Sequence, residues 1–141
     1  MSVPGSPVLS AYLFFDGNCR EAVEFYSRAF GVEIAEIMTY GKAPGADPAS
    51  PDADRVLHAT LAGLGIMASD RPSGTPHVVG NTVSLTLMFA DAEVVRRAYD
   101  ALADGGEANM PLTKTFFSDL FGMVTDRYGV IWQLGTMPVQ P

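Results

Sequence analysis

Apolar positions recur along this chain with two periods, and the order of those periods itself repeats. From Val8 to Phe15 the chain is apolar and aromatic enough for a strand, and Asp16 and Gly17 supply turn chemistry. Ala22, Val23, Phe25, Tyr26, Ala29 and Phe30 then return at helical spacing. Asn18 with Glu21 three residues on resembles an N-terminal capping box, and Gly31 stands where a left-handed C-terminal residue is wanted. Val32 to Tyr40 reads as a strand with Val32, Ile34, Met38 and Tyr40 on one face, interrupted by Glu36. Residues 41–54, with three prolines and few apolar anchors, read as a loop that is either mobile or draped over an opening. Arg55 to Ala62 and Gly65 to Ser69 predict a hairpin around Gly63, with Leu57, Ala59 and Leu61 on one face and Val56, His58 and Thr60 on the other. Residues 70–80 form a second loop.

The pattern then starts again. Asn81 to Phe89 predicts a strand, Asp91 an N-cap, and Val94, Val95, Ala98, Tyr99 and Leu102 the apolar stripe of a helix ending near Ala103. Glu107 to Met110, Thr113 to Thr125 and Gly129 to Leu134 read as three extended segments, the last two joined by the turn Asp126 to Gly129. A shift of 73 residues pairs Asn18 with Asp91, Tyr26 with Tyr99 and Ala29 with Leu102. The expected fold is α+β: one domain over residues 1–141 made of two βαβββ modules, about 7–70 and about 80–136, curled into an incomplete barrel whose concave face is a pocket. The alternative is a ferredoxin-like α+β sandwich, which does not need matched three-strand tails.

Composition narrows the classes. A chain of 141 residues, 48% of them apolar, suits one compact domain. The single cysteine, Cys19, excludes an intramolecular disulfide and favours a reducing compartment. Met1 to Pro7 show no basic-then-apolar leader, so a cytoplasmic location is expected. A net charge of -7 argues against nucleic acid or an anionic membrane surface as partner.

Tyr12-Leu13-Phe14-Phe15-Asp16-Gly17-Asn18-Cys19, followed by Ala22, Phe25-Tyr26 and Phe30-Gly31, resembles the opening of the PhnB-like branch of the glyoxalase/bleomycin resistance/dioxygenase (vicinal oxygen chelate) superfamily. Leu57-His58-Ala59 and Ile66-Met67-Ala68-Ser69-Asp70 resemble its first hairpin. Phe116-Phe117, Phe121-Gly122, Val124-Thr125-Asp126, Tyr128-Gly129 and Trp132 resemble its closing motif. The resemblance implies a paired βαβββ fold, usually homodimeric, with a cavity that many members fill with a divalent metal. Those members are glyoxalases, extradiol dioxygenases, epimerases and fosfomycin-modifying transferases, whereas bleomycin-binding members use the cavity without catalysis. Some PhnB-like sequences carry the label of a ubiquinone-biosynthesis methyltransferase, but this chain shows no glycine-rich loop opening a helix for S-adenosylmethionine. Fold alone does not select among these chemistries.

The metal positions that the resemblance implies fall near Ala11, Met67, Leu85 and Gln133. Widened by one residue each way, they contain no His and no carboxylate, and the whole chain has only His58 and His77. No resident cofactor is therefore expected; Tyr12 and Gln133 are the candidate ligands if a metal binds after all. His58 reads as a structural histidine or, if it faces the cavity with Thr60, a general base. His77 reads as a solvated loop residue or part of a lid. Cys19 sits in a helix first turn, which favours a thiolate, beside Asp16 and Glu21, which oppose one; it reads as unreactive. Gly63-Leu64-Gly65-Ile66-Met67-Ala68 matches a dinucleotide pattern in letters but reads as a hairpin turn. Thr115 to Phe121 mixes aromatics with polar groups, as either ligand pockets or apolar contacts do, and Asp126 reads as a turn residue.

The leading expectation is a metal-independent small-molecule-binding protein with a pocket lined by Met67, Phe116, Phe117, Trp132 and Gln133. The rival is a metal-dependent lyase, isomerase or dioxygenase with Tyr12 and Gln133 on the ion and His58 or Asp119 as donor or base. The third is a dimeric interaction protein without a ligand. No catalytic residue is assigned beyond the candidates His58 and Asp119.

Overall fold

A computed structural model describes residues 5–138. The chain falls into two compact units, residues up to Ser27 with Val32–His77, and Arg28–Gly31 with the chain from Val78 on. The first unit holds β1 (Ala11–Phe15), α1 (Cys19–Phe30, its last turn counted with the second unit), β2 (Ile34–Thr39), β3 (Val56–Leu61) and β4 (Ile66–Asp70). The second holds β5 (Leu85–Phe89), α2 (Ala92–Ala103), β6 (Glu107–Thr113), β7 (Phe121–Thr125) and β8 (Ile131–Thr136). Each is a βαβββ module with one open four-stranded sheet, ordered β1-β4-β3-β2 and β5-β8-β7-β6. In both sheets the first strand pairs in parallel with the last, and the other pairs are antiparallel. Among the described residues no helix is long and apolar enough to cross a membrane.

Side-chain alternation gives each sheet a buried face and an open one. In the first unit Phe15, Val56, Ala59, Leu61, Ile66 and Ala68 are buried. Tyr12, Phe14, His58, Thr60 and Met67 point the other way, with Tyr12 opposite Met67 and Thr60 opposite Met67 on its other flank. In the second unit α2 covers Val124, Trp132 and Leu134 with Val95, Ala98, Tyr99 and Leu102. Met123, Thr125, Ile131 and Gln133 stand on the uncovered side.

Two bulges revise the faces expected for β2 and β3. Ile34 opposes Leu61 and Glu36 opposes Thr60, so Ala35 is an extra residue that reverses the alternation. Ile34 and Ile37 therefore share a side with Leu61 and Ala59, while Glu36 and Met38 lie with Thr60 and His58, and Glu36 interrupts nothing. Two residues further, Met38 opposes His58 but Thr39 opposes Val56. The bulge at Leu57 turns Val56 onto the buried face, away from His58 and Thr60.

The helix starts also divide. Asp91 caps α2 as expected, accepting from the Glu93 N–H at 2.9 Å. Asn18 does not cap α1 in that way: its Oδ1 accepts from the Asp16 N–H. The Cys19 N–H goes instead to the buried Asp70 carboxylate at 3.0 Å, 51 residues away in sequence. Asp70 also takes the Gly17 N–H at 2.8 Å and the Val56 N–H at 2.8 Å, pinning β1, α1, β3 and β4 at one end. Gly63 and Gly65 adopt φ of +79° and +64° in the β3–β4 turn, so the Gly-x-Gly-x-x-Ala stretch is a hairpin. Residues 113–125 are not one extended run: β6 continues to Thr113, a loop follows, and β7 starts at Phe121.

Candidate functional site

The second sheet carries a cavity of about 690 Å³ on its open side. Strand alternation aims Met123, Thr125 and Ile131 into it, β6 contributes Glu107 and Asn109, and Val79, Gly80, Asn81 and Gly129 complete the lining. Thr125 donates to Asn109 Oδ1 at 2.7 Å, which fixes that amide with its NH₂ free to donate. The lining is thus a patch of Val, Met and Ile with one carboxylate, two amides and a hydroxyl, the mixed polarity that small-molecule sites use.

On the open side of the first sheet the aromatic and ionisable side chains make a continuous row. Tyr12 OH lies 3.1 Å from His58 Nδ1, and the Thr60 hydroxyl lies 3.1 Å from Nε2. Whichever ring nitrogen carries the proton, the other accepts, so the imidazole joins two hydroxyls. The Tyr12 ring lies 5.3 Å from that of Phe14, and the Arg71 guanidinium lies 4.3 Å from the Phe14 centroid. The partners of His58, which the sequence could not supply, are therefore Tyr12 and Thr60.

The residues expected to line one pocket are divided between the two units. Met67 is half-buried in the first sheet, between Tyr12 and Thr60. Gln133 opposes Met123 on the open side of the second sheet and donates through Nε2 to Ser84 Oγ at 2.9 Å. Trp132 has no exposed surface; its indole N–H donates to Asp126 Oδ2 at 2.9 Å and its ring meets Phe30 edge-on at 4.9 Å. Phe116 and Phe117 are exposed and, with Asp119, border a separate hollow of about 300 Å³ in the loop after β6. None of the five lines the larger cavity. His77 is half-buried, with an Nδ1 that is shielded and lacks a hydrogen-bond partner, not a solvated loop residue.

Two buried aspartates frame the sheets, and neither stood out in the sequence as more than loop or turn chemistry. Asp126 accepts from the Tyr128 and Val130 N–H groups as well as from Trp132, so it locks the β7–β8 turn onto the core. Ser118, also buried, has the Thr136 and Leu120 carbonyls in reach of its one hydroxyl proton and Thr136 Oγ1 beside it at 2.9 Å, anchoring the loop that carries Phe116 and Phe117. Burial, then the Asp70 charge, pushes the Cys19 thiol up to about 12, opposite to a reactive thiolate. Burial, then Asp52, raises the Tyr40 phenol above its ordinary value; that phenol donates to the Asp70 carbonyl.

The strand register tests the metal positions directly. Tyr12 opposes Met67 and Thr86 opposes Gln133, so the paired donors are a phenol with a thioether and a hydroxyl with an amide. These do not fit a divalent transition metal, which needs imidazole, thiolate or carboxylate donors. Among the described residues no three His, Cys, Asp or Glu side chains converge.

Comparison with known structures defines the class. A glyoxylase/bleomycin resistance protein/dioxygenase domain from Frankia sp. EAN1pec aligns with a TM-score of 0.64 over 96% of this chain and 95% of its own, at 13% identity, which shows the shared α+β fold of paired βαβββ modules. Within that class, the chain belongs to the PhnB-like family described as 3-demethylubiquinone-9 3-methyltransferase, which matches residues 7–135. Protein YjdN of Escherichia coli (strain K12) is 36% identical, covering 94% of this chain and 97% of its own length. The crystal structure of protein PA1353 from Pseudomonas aeruginosa superposes with a TM-score of 0.82 at 34% identity, over 94% of this chain and 98% of that one. The PhnB protein from Bacillus cereus does so at 0.67 and 30%, over 91% and 98%.

Proposed function

We propose that this chain is a small-molecule-binding member of the PhnB-like family that works without a divalent metal and holds its ligand in the cavity of the second unit. The carrying observation is the volume of about 690 Å³ with its lining of Asn81, Glu107, Asn109 and Thr125 beside Val79, Met123 and Ile131. That volume lies within the roughly 300–1,000 Å³ of ligand sites generally. Glu107 and the two amides favour an uncharged ligand rich in hydrogen-bond donors. Metal independence rests on the donors of the paired strands, phenol with thioether and hydroxyl with amide. Methyl transfer is not part of the proposal, because the Gly-x-Gly-x-x-Ala stretch closes a hairpin and opens no helix that would take a dinucleotide-like cofactor. The homodimer implied by the resemblance, and the cytoplasmic location expected from the single cysteine and the absence of a leader pattern, belong to this same proposal.

Thermal unfolding against a panel of uncharged small aromatic compounds that carry hydroxyl or amide donors tests it. A true ligand at a hundredfold excess over its Kd adds about 2.7 kcal/mol to stability and raises Tm by several degrees. Asn109→Leu should remove that rise. A panel without effect, or a rise that Asn109→Leu leaves intact, refutes the cavity. Elemental analysis of protein purified without chelator should find no stoichiometric metal; stoichiometric metal lost on Gln133→Ala would overturn metal independence.

A further inference from the structure

The geometry points to a second binding site, on the open side of the first sheet, for a small planar carboxylate, with Arg71 as the anion receptor and the Phe14 and Tyr12 rings as its platform. It is independent of the cavity reading, being built from other residues in the other unit.

Three observations carry it. First, Arg71 is a cation without an acid. Among the described residues the ion pairs are Arg55–Asp16, Arg96–Glu93 and Arg127–Asp104, and none involves Arg71. Second, its Nε is shielded from solvent and has no hydrogen-bond partner. An unsatisfied buried donor calls for a partner, and a carboxylate bound side-on to Nε and one Nη supplies it. Reaching Nε requires a small movement of the side chain, which a partner-free guanidinium permits.

Third, the guanidinium is held over the Phe14 ring at 4.3 Å, and the Tyr12 ring follows at 5.3 Å. Phe14 is 47% exposed and Tyr12 39%, unusual for large rings in mid-strand. The Tyr12 hydroxyl is engaged by His58, which fixes the ring and leaves its face for stacking. A bare phosphate would use the cation alone; a planar ligand with one carboxylate uses the cation and covers apolar surface.

Benzoate, its uncharged analogue benzamide, and inorganic phosphate are the probes, read by calorimetric titration at low salt. The expected result is 1:1 binding of benzoate, with benzamide and phosphate weaker by about tenfold or more, the scale of one charge-assisted hydrogen bond. Arg71→Met keeps an apolar stem over Phe14 and should abolish the preference for benzoate over benzamide. Arg71→Lys keeps the charge without the fork and should retain the preference at lower affinity, which separates loss of the receptor from loss of the fold. Phe14→Leu should weaken benzoate and benzamide alike. No benzoate binding, phosphate as tight as benzoate, or an unchanged preference in Arg71→Met overturns the site. Benzoate is absent from the uncharged panel used for the cavity, so the two readings fail separately.

Discussion

Asp70→Asn is the sharpest test of how the first unit is held together. The Asp70 carboxylate accepts the Gly17 and Cys19 N–H groups on Oδ1, at 2.8 and 3.0 Å, and the Val56 N–H on Oδ2 at 2.8 Å. Asparagine has one acceptor and one donor in the same outline. With its oxygen toward Gly17 and Cys19, its NH₂ faces the Val56 N–H, donor against donor; flipped, it opposes two donors instead. The better orientation loses one charge-assisted bond, about 1.5–3 kcal/mol, and weakens the other two by about 1 kcal/mol each through loss of the charge. The expected cost is therefore about 3.5–5 kcal/mol, a large part of the ~5–15 kcal/mol that holds a domain folded. Asn18→Ala is the matched control, because the Asn18 side chain makes only an exposed 3.3 Å contact to the Asp16 N–H and should cost under about 0.5 kcal/mol. Urea unfolding followed by far-UV circular dichroism measures both. If Asp70→Asn cost under 1 kcal/mol while Asn18→Ala cost the ~1 kcal/mol of an ordinary N-cap, the remote capping of α1 would be refuted.

Cys19 should be inert to thiol reagents until the protein unfolds, and its alkaline behaviour has a defined sign. Its thiol titrates at about 12 when folded, against 9.0 ordinarily. The unfolded chain therefore loses the proton first, so this contribution is whole below pH 9 and falls by up to about 1.4 kcal/mol per pH unit above it. Urea midpoints at pH 8, 10 and 11 should fall more steeply for the parent than for Cys19→Ala; parallel slopes would contradict the assignment. Gly135→Ala should destabilise by about 1–3 kcal/mol through overpacking. Its Cβ would stand 2.6 Å from Phe121 Cδ2 and 2.9 Å from the Leu120 carbonyl oxygen. An unfolding free energy within 0.5 kcal/mol of the parent would show that β7 and β8 yield there.

Element order and helix faces are legible in the sequence because they rest on local periodicity. α2 starts at the residue after its predicted cap, and Tyr99 and Leu102 are buried on the predicted stripe. Sheet faces are less legible, because one extra residue reverses every side chain beyond it. Ala35 and Leu57 carry no signal of being bulges, and Val56 changes face with them. The site is least legible. Glu107, Asn109 and Thr125 look like ordinary exposed strand residues until β6 and β7 pair Glu107 with Thr125. Trp132, aromatic and near the chain's closing motif, draws attention as a pocket wall, yet the Asp126 carboxylate that accepts its indole N–H draws it into the core.

The repeat explains why the same pattern gave two different open faces. β1 and β5 begin 74 residues apart but α1 and α2 only 73, so the first strand-to-helix turn is one residue longer. In the longer turn the Gly17 and Cys19 N–H groups go to Asp70, opposite Phe15 at the end of β4. In the second unit Thr136 holds the matching place opposite Phe89. A hydroxyl there has no helix N–H to meet, since Asp91 closes α2 locally, and it bonds Ser118 and the Leu120 N–H instead. A duplicated backbone pattern thus tolerates a carboxylate in one half and a hydroxyl in the other, provided each helix start is satisfied from somewhere. The open faces are under no such shared constraint. One acquired an imidazole, two rings and an unpaired guanidinium, the other two amides and a carboxylate around a cavity. Both proposed sites therefore rest on positions where the halves differ, and a reading that aligns the halves by what they share passes over them.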